Sequence, residues 1–158
     1  MDMSKKWKII TPESVIVSPL KEKRVTNEAG WTRWERPAAQ SPATGCVVLD
    51  SLLELLAQNP SRSLETMAAR LDLQAADLNG VIHAMSGLNG RDFLTRYQLA
   101  RGQELLACTN LTIKEIAKRC AFNTANCFTT IFQRHYRLSP LQYRQRFRQE
   151  NYQELYRW

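Results

Sequence analysis

The side chains of this sequence best suited to engage a partner are cations, and they crowd the C-terminal third. Residues 111–158 hold nine Lys/Arg against three Asp/Glu, a net +6, whereas residues 46–110 carry −2 and residues 1–45 carry +3. The whole chain of 158 residues reaches +7, with a pI near 9.5. Such charge favours an anionic partner, either nucleic acid or an acidic membrane surface, and its placement puts a polyanion against the last third. The basic helix there has no clean apolar face beyond what its own core uses, so a membrane partner is not expected. Enzyme chemistry finds no footing, because paired carboxylates, an activated nucleophile and a phosphate-cradling glycine loop are all missing. Cysteines 46, 108, 120 and 127 form no Cys-x-x-Cys pair and no histidine stands at ligand spacing, so neither a metal nor a cofactor is expected. Free thiols, no apolar run long enough for a bilayer and no secretory leader predict a reducing cytoplasm.

These cations must be positioned by something, and the texture of the chain supplies helices. Residues 1–45 contain Pro12, Pro19, Pro37 and Pro42, an alternating stretch at Ser14–Val17, and tryptophans at 7, 31 and 34. Proline excludes a long helix here, so the segment reads as an extended, basic, irregular arm with at most one short strand. It is either a loose tail or pinned by its tryptophans. From Cys46 onward apolar residues recur at helical spacing: a helix over about 47–58 ending at Asn59-Pro60, then short helices over about 64–71 and 75–86. A longer helix over about 91–107 follows, and Gly102 inside it implies close packing or local softness. Thr112-Ile-Lys-Glu115 is a capping box that opens another short helix, and a helix over about 124–136 comes after the turn at Cys120–Asn123. Ser139-Pro140 opens the last, running from Leu141 to about Tyr156. No stretch alternates at period two over the length a sheet needs, so the domain is expected to be all-α.

Two of these helix pairs, Leu64–Met85 and Ile113–Tyr136, recur about 48 positions apart. Each has a short first helix with a small inward residue, Ala68 or Ala117, then a tight turn and an amphipathic second helix. That is helix-turn-helix patterning, although short α-hairpins of ordinary bundles share it.

The stretch from Leu111 to Arg134 (Leu-Thr-Ile-Lys-Glu-Ile-Ala-Lys-Arg-Cys-Ala-Phe-Asn-Thr-Ala-Asn-Cys-Phe-Thr-Thr-Ile-Phe-Gln-Arg) carries more, together with Ser139-Pro140-Leu-Gln-Tyr-Arg144. It resembles the second unit of AraC/XylS-type regulators, with an Ile-Ala pair, a Gly-Phe turn, a Phe-x-x-x-Phe recognition helix and Ser-Pro-x-x-Tyr-Arg. The resemblance reaches back to about Cys46, closely in the later half and loosely in the earlier one. It implies a short member without a large sensory domain. The implied fold is a seven-helix domain over 46–147, with helix-turn-helix units at about 64–86 and 112–136 joined by the helix at 91–107. Residues 148–158 would form a helical tail.

The resemblance further implies base reading by Ala125, Asn126, Thr129, Thr130 and Gln133, and in the first unit by Asn79 and His83. Asn126 is the strongest reader, since its amide can pair bidentately with adenine. Lys114, Lys118, Arg119, Thr124, Arg134, Arg137, Arg144, Arg146 and Arg148 are candidates for phosphate contact, and Thr124 or Asn123 caps the recognition helix. The first unit departs from the pattern, with Ala76 and Gly80 at reading positions and Asp72 and Asp77 facing where phosphate would lie. Ala121 replaces the turn glycine, Arg137 the glycine after the recognition helix, and Gln98 a common Arg in the joining helix. The expected function is sequence-specific promoter binding in which the second unit dominates, with double-stranded DNA as partner. RNA polymerase or another regulator would meet the N-terminal arm. The competing reading is a protein-interaction module on the same fold with only nonspecific DNA affinity.

Overall fold

A computed structural model describes residues 9–37 and 44–158. Trp7 and Pro42 of the expected arm lie outside the described residues.

Among the described residues seven helices follow the order in which the sequence announces them, α1 Val47–Gln58, α2 Leu64–Arg70, α3 Ala75–Ser86, α4 Gly90–Cys108, α5 Ile113–Arg119, α6 Ala125–Tyr136 and α7 Pro140–Phe147, and a single turn, α8 Tyr152–Leu155, comes after them. The starts of α2, α4, α5, α6 and α7 are fixed by side-chain caps that satisfy orphan amides. Ser63 accepts from the Thr66 N–H, Asn89 from Asp92, and Ser139 from Gln142. In the box ahead of α5, Thr112 Oγ1 accepts from the Glu115 N–H at 3.1 Å, and Glu115 Oε2 accepts from the Thr112 N–H at 2.8 Å. Those bonds hold the Glu115 carboxyl below its ordinary pKa.

Two cores form, and α4 runs through both. Its first half gives Phe93, Leu94 and Tyr97 to a cluster with Leu49, Leu52, Leu53 and Leu56 of α1, Met67 and Ala68 of α2, and Leu78 and Ile82 of α3. Its second half gives Leu99, Leu105 and Leu106 to a cluster with Ile116, Ala117, Phe122, Phe128 and Phe132. Gly102 is there for close packing: a Cβ at that position would lie 2.9 Å from the Phe128 ring.

The N-terminal segment differs from the expected irregular arm. Residues 10–20 form a strap along α4. Val15 is buried in the first core and Leu20 in the second. Glu13 makes a two-point ion pair with Arg96 at 3.0 Å for each bond, and the Val17 N–H donates to the Tyr97 hydroxyl. The strand is not at Ser14–Val17, where a 3-10 turn ends and Val15 turns inward. Beyond the strap come strands β1 Glu22–Thr26 and β2 Thr32–Glu35, antiparallel with Arg24 opposite Trp34, and turned at Asn27–Trp31. Gly30 takes a φ of 84° in that turn.

The C-terminal tail is also corrected. The helix opened by Ser139-Pro140, α7, stops at Phe147 instead of continuing to about Tyr156. Residues Tyr156–Arg157 form β3, which completes a sheet of order β2-β1-β3. Arg144 and Arg148 would repel across one helical turn. Pairing with β1 offers the tail an alternative, held by the Arg157–Glu22 ion pair at 2.8 Å and by the Arg157 guanidinium 4.0 Å above the Trp34 ring. Each strand is too short to announce itself as a period-two run, and the β1–β3 pairing joins the two ends of the chain.

Candidate nucleic-acid interface

The two helical hairpins share one backbone design. After α2 the chain passes through Leu71, Asp72 and Leu73; after α5 it passes through Cys120, Ala121 and Phe122. Asp72 and Ala121 adopt φ of 55° and 60°. The Leu73 N–H donates back to the Ala68 carbonyl and the Phe122 N–H to the Ala117 carbonyl, each at 2.9 Å. This is the Schellman closure that usually calls for glycine. Ala121 therefore keeps the turn conformation of the glycine it replaces, at the cost of placing a Cβ in the left-handed region. Arg137 does the same after α6 at φ 62°, where α3 ends on Gly87 at φ 74°.

On α6 the inward side is aromatic. Phe128 and Phe132 are fully buried, and Phe128 meets Phe122 edge-on at 5.1 Å between centroids. Fixing that side leaves Asn126, Thr130 and Gln133 exposed at i, i+4 and i+7, with Thr129 and Ala125 half-buried at their margin. The five side chains of α6 expected to read bases thus share one outer face or its border. Thr124, rather than Asn123, caps the helix: its hydroxyl accepts from the Cys127 N–H at 3.0 Å, leaving its own O–H free to donate. Asn123 and Thr124 join Lys114, Lys118, Phe122, Ala125 and Asn126 around a shallow cleft of about 450 Å³. Cationic walls, a helix N-terminus and a carboxamide at its rim suit an anionic, hydrogen-bonding ligand.

The cations divide. Lys114, Lys118, Arg119, Arg137, Arg146 and Arg148 are exposed. Arg134 is exposed on the flank toward α4, where it lines a second cleft with Asp92, Arg96 and Ile131. Arg144 differs from these exposed cations. It is half-buried, and its Nε donates to the Leu106 carbonyl at 3.2 Å, capping the end of α4. That burial, with Arg148 nearby, lowers its pKa.

The first unit places its candidates less favourably. His83 is exposed on α3, and so are Ala76, Asp77 and Gly80. Asn79 is half-buried, and its Oδ1 accepts from the Gly90 N–H at 2.7 Å, which joins α3 to the start of α4. A bidentate adenine contact needs both ends of the amide, and the oxygen end of Asn79 is engaged here by the backbone. Sequence spacing missed Arg62 and Arg101 and marked Gln98 only as a departure; the three bridge the two units inside the molecule. Arg62 contacts a residue 59 positions away, beyond the reach of any local pattern.

The thiols stay free. Burial pushes those of Cys108 and Cys120 up to about 11, leaving both protonated and poorly nucleophilic at neutral pH. Among the described residues no three His, Cys, Asp or Glu side chains converge as metal ligands. No described helix is long and apolar enough to cross a membrane.

Known proteins share this arrangement. A family model described as a helix-turn-helix domain matches residues 48–146. The chain is 30% identical over 103 residues to the HTH-type transcriptional activator RhaR of Enterobacter sp. (strain 638), covering 64% of this chain and 36% of that protein. It is 34% identical over 83 residues to the HTH-type transcriptional activator RhaS of the same organism, covering 52% and 30%. The match thus spans about a third of these relatives' length. Among solved structures, the C-terminal domain of AraT, a response regulator from Geobacillus stearothermophilus, superposes with a TM-score of 0.62 at 26% identity, covering 68% of this chain and 91% of that one. The DNA-binding domain of AdpA, solved in complex with a target DNA, shares the fold at a TM-score of 0.58 and 22% identity, covering 63% and 91%. Doubled units, capped and turned alike, and a matched family model covering most of the sequence lead to one assignment: the chain belongs to the AraC/XylS-type helix-turn-helix family, whose domains are DNA-binding parts of transcription regulators and not an enzyme class.

Proposed function

We propose that this protein is a sequence-specific regulator of transcription that lays α3 and α6 into successive major-groove segments, with α6 doing most of the reading. The observation that carries it is the exposed row Asn126, Thr130 and Gln133 on α6, beside Lys114, Lys118 and the capped helix start. Phosphates would be neutralised by Lys114, Lys118, Arg119, Arg134, Arg137 and Arg146, and bases read by Asn126, Thr129, Thr130 and Gln133, with an apolar contact from Ala125. Residues 46–147 form the binding domain in this reading. The N-terminal segment and the tail brace it, and Trp31, 77% exposed in the β1–β2 turn, offers RNA polymerase or another regulator a contact point.

The dominance of α6 follows from what each unit shows to solvent. A phosphate approaching α3 meets Asp72 and Asp77, and finds Asn79 already engaged. A phosphate approaching α6 meets lysines and a helix N-terminus. Selection of bound duplexes from a random pool, followed by competition against random DNA, tests the reading. A preferred sequence is expected, and about five phosphates neutralised among these six cations give a slope of log affinity against log salt near −4.5. Equal affinity for every duplex would leave only the interaction-module reading.

A further inference from the structure

Three polar side chains join the two units where an apolar seam would be ordinary. Gln98 and Arg101 of α4 are 0% and 8% exposed. Arg101 Nη1 donates to Gln98 Oε1 at 2.9 Å and reaches the Arg119 carbonyl, at the end of α5, at 3.5 Å. Gln98 Nε2 donates to the Ser61 carbonyl, in the loop before α2, at 3.3 Å. One residue on, Arg62 leaves that loop and crosses to the second unit. Its Nε donates to the Ala121 carbonyl at 3.0 Å, and its guanidinium lies 4.0 Å above the Phe122 ring. Its Nη2 approaches Cys127 Sγ in the first turn of α6 at 4.0 Å. The loop preceding the first unit's helices is thereby bonded to the turn that aims the second unit's reading helix.

We propose that this bridge, with Arg62 as its central residue, fixes the orientation of α3 relative to α6, so that the protein discriminates among DNA sites by the spacing of their two half-sites. The inference rests on the two-groove reading above. A single long helix shared by two cores leaves two soft motions, torsion and bending between its halves. The bonds that link Ser61, Arg62, Gln98 and Arg101 to their partners oppose that freedom because each has a defined direction. The Ala121 carbonyl is the most effective place to hold, since its residue already occupies a left-handed conformation that a pull on the turn would relax. Inserting one base pair between half-sites rotates one by about 34–36° against the other. A locked protein cannot follow that rotation; an unlocked one can.

The bridge is tested without DNA and with it. Arg62→Met keeps an apolar stem over Phe122 and deletes the donors; Arg62→Lys restores a donor to the Ala121 carbonyl. Amide residual dipolar couplings from α2–α3 and from α5–α6 of the full chain should fit one alignment tensor in the native protein and in Arg62→Lys. They should require two of different magnitude in Arg62→Met, and a single tensor there overturns the bridge whatever the protein binds. With a duplex selected by the native protein, one inserted base pair should weaken native binding about tenfold or more, as loss of one unit's contacts does. The same insertion should weaken Arg62→Met no more than about threefold, and equal penalties for both proteins overturn spacing control. If the native protein selects no duplex, the DNA reading fails while the dipolar couplings still judge the bridge. Should Arg62→Met fail to fold, Gln98→Leu, which cuts the bridge at Ser61 and Arg101, carries the same pair of measurements.

Discussion

The two helix-turn-helix units were shaped alike on the inside and differently on the outside. Their N-caps, Ser63 and Thr112, both accept from the amide three residues on, and both turns close with a 2.9 Å bond across a left-handed residue. Yet the outer face of α3 offers Ala76, Asp77, Gly80 and His83, while that of α6 offers Asn126, Thr130 and Gln133. The cores, caps and turns that make the hairpin are independent of the side chains that would use it. A unit can therefore keep its fold while its contact surface drifts toward acidity. In the proposed reading the first unit serves more as scaffold, and Asn79 illustrates it: its amide oxygen accepts from the Gly90 N–H at the start of α4.

The largest way to break that division is through the aromatic core. Phe128→Ala removes a fully buried ring wedged between Phe122, Phe132 and Gly102, and should cost ~3–5 kcal/mol, seen as a fall in thermal midpoint. Its counterpart Leu78→Ala in α3 should cost ~2–5 kcal/mol. Measured where both variants remain folded, DNA affinity should suffer far more from the change in α6. Comparable losses would mean that the units share the binding equally. A sharper comparison sets two asparagines against each other. Asn126→Ala should lose ~1–3 kcal/mol of discrimination at one base position and leave thermal stability unchanged. Asn79→Ala should do the reverse: a fall of ~1 kcal/mol in stability as the Gly90 N–H loses its partner, with the base preference retained. A shifted sequence preference in Asn79→Ala would return that residue to the reading set.

How far the sequence reveals these roles depends on the range of the interactions behind them. Helices α1 to α6 were legible because each carries its own signal: leucines at helical spacing in α1, Thr112 with Glu115 ahead of α5, Phe128 with Phe132 in α6. The exposed face of α6 followed from its buried one. What escaped was nonlocal. The strap from Glu13 to Leu20 gains its structure only from α4, and β3 exists because Glu22 and Arg157 meet across almost the whole chain. Arg144 reads as one more C-terminal cation until the Leu106 carbonyl is seen beside it. Arg62, between Ser61 and Ser63, reads as an ordinary loop charge.

The smallest expected effects come from one substitution made at two glycines. Gly102→Ala places a methyl 2.9 Å from a Phe128 ring that Phe122 and Phe132 keep from retreating. Overpacking there should outweigh the helix propensity gained, for a net loss of ~1 kcal/mol. Gly80→Ala meets open space on the outer face of α3, with no heavy atom within 4 Å. It should raise stability by ~0.5–1 kcal/mol in thermal unfolding. The second change also probes function, because a glycine on a reading helix is useful when the backbone must come close to DNA. If α3 only rests against the duplex, Gly80→Ala should leave the affinity for a selected site within about twofold, a small fraction of the penalty for a lost base contact. A tenfold loss with stability improved would show that α3 enters the groove backbone-first, and that the acidic first unit is a reader of shape.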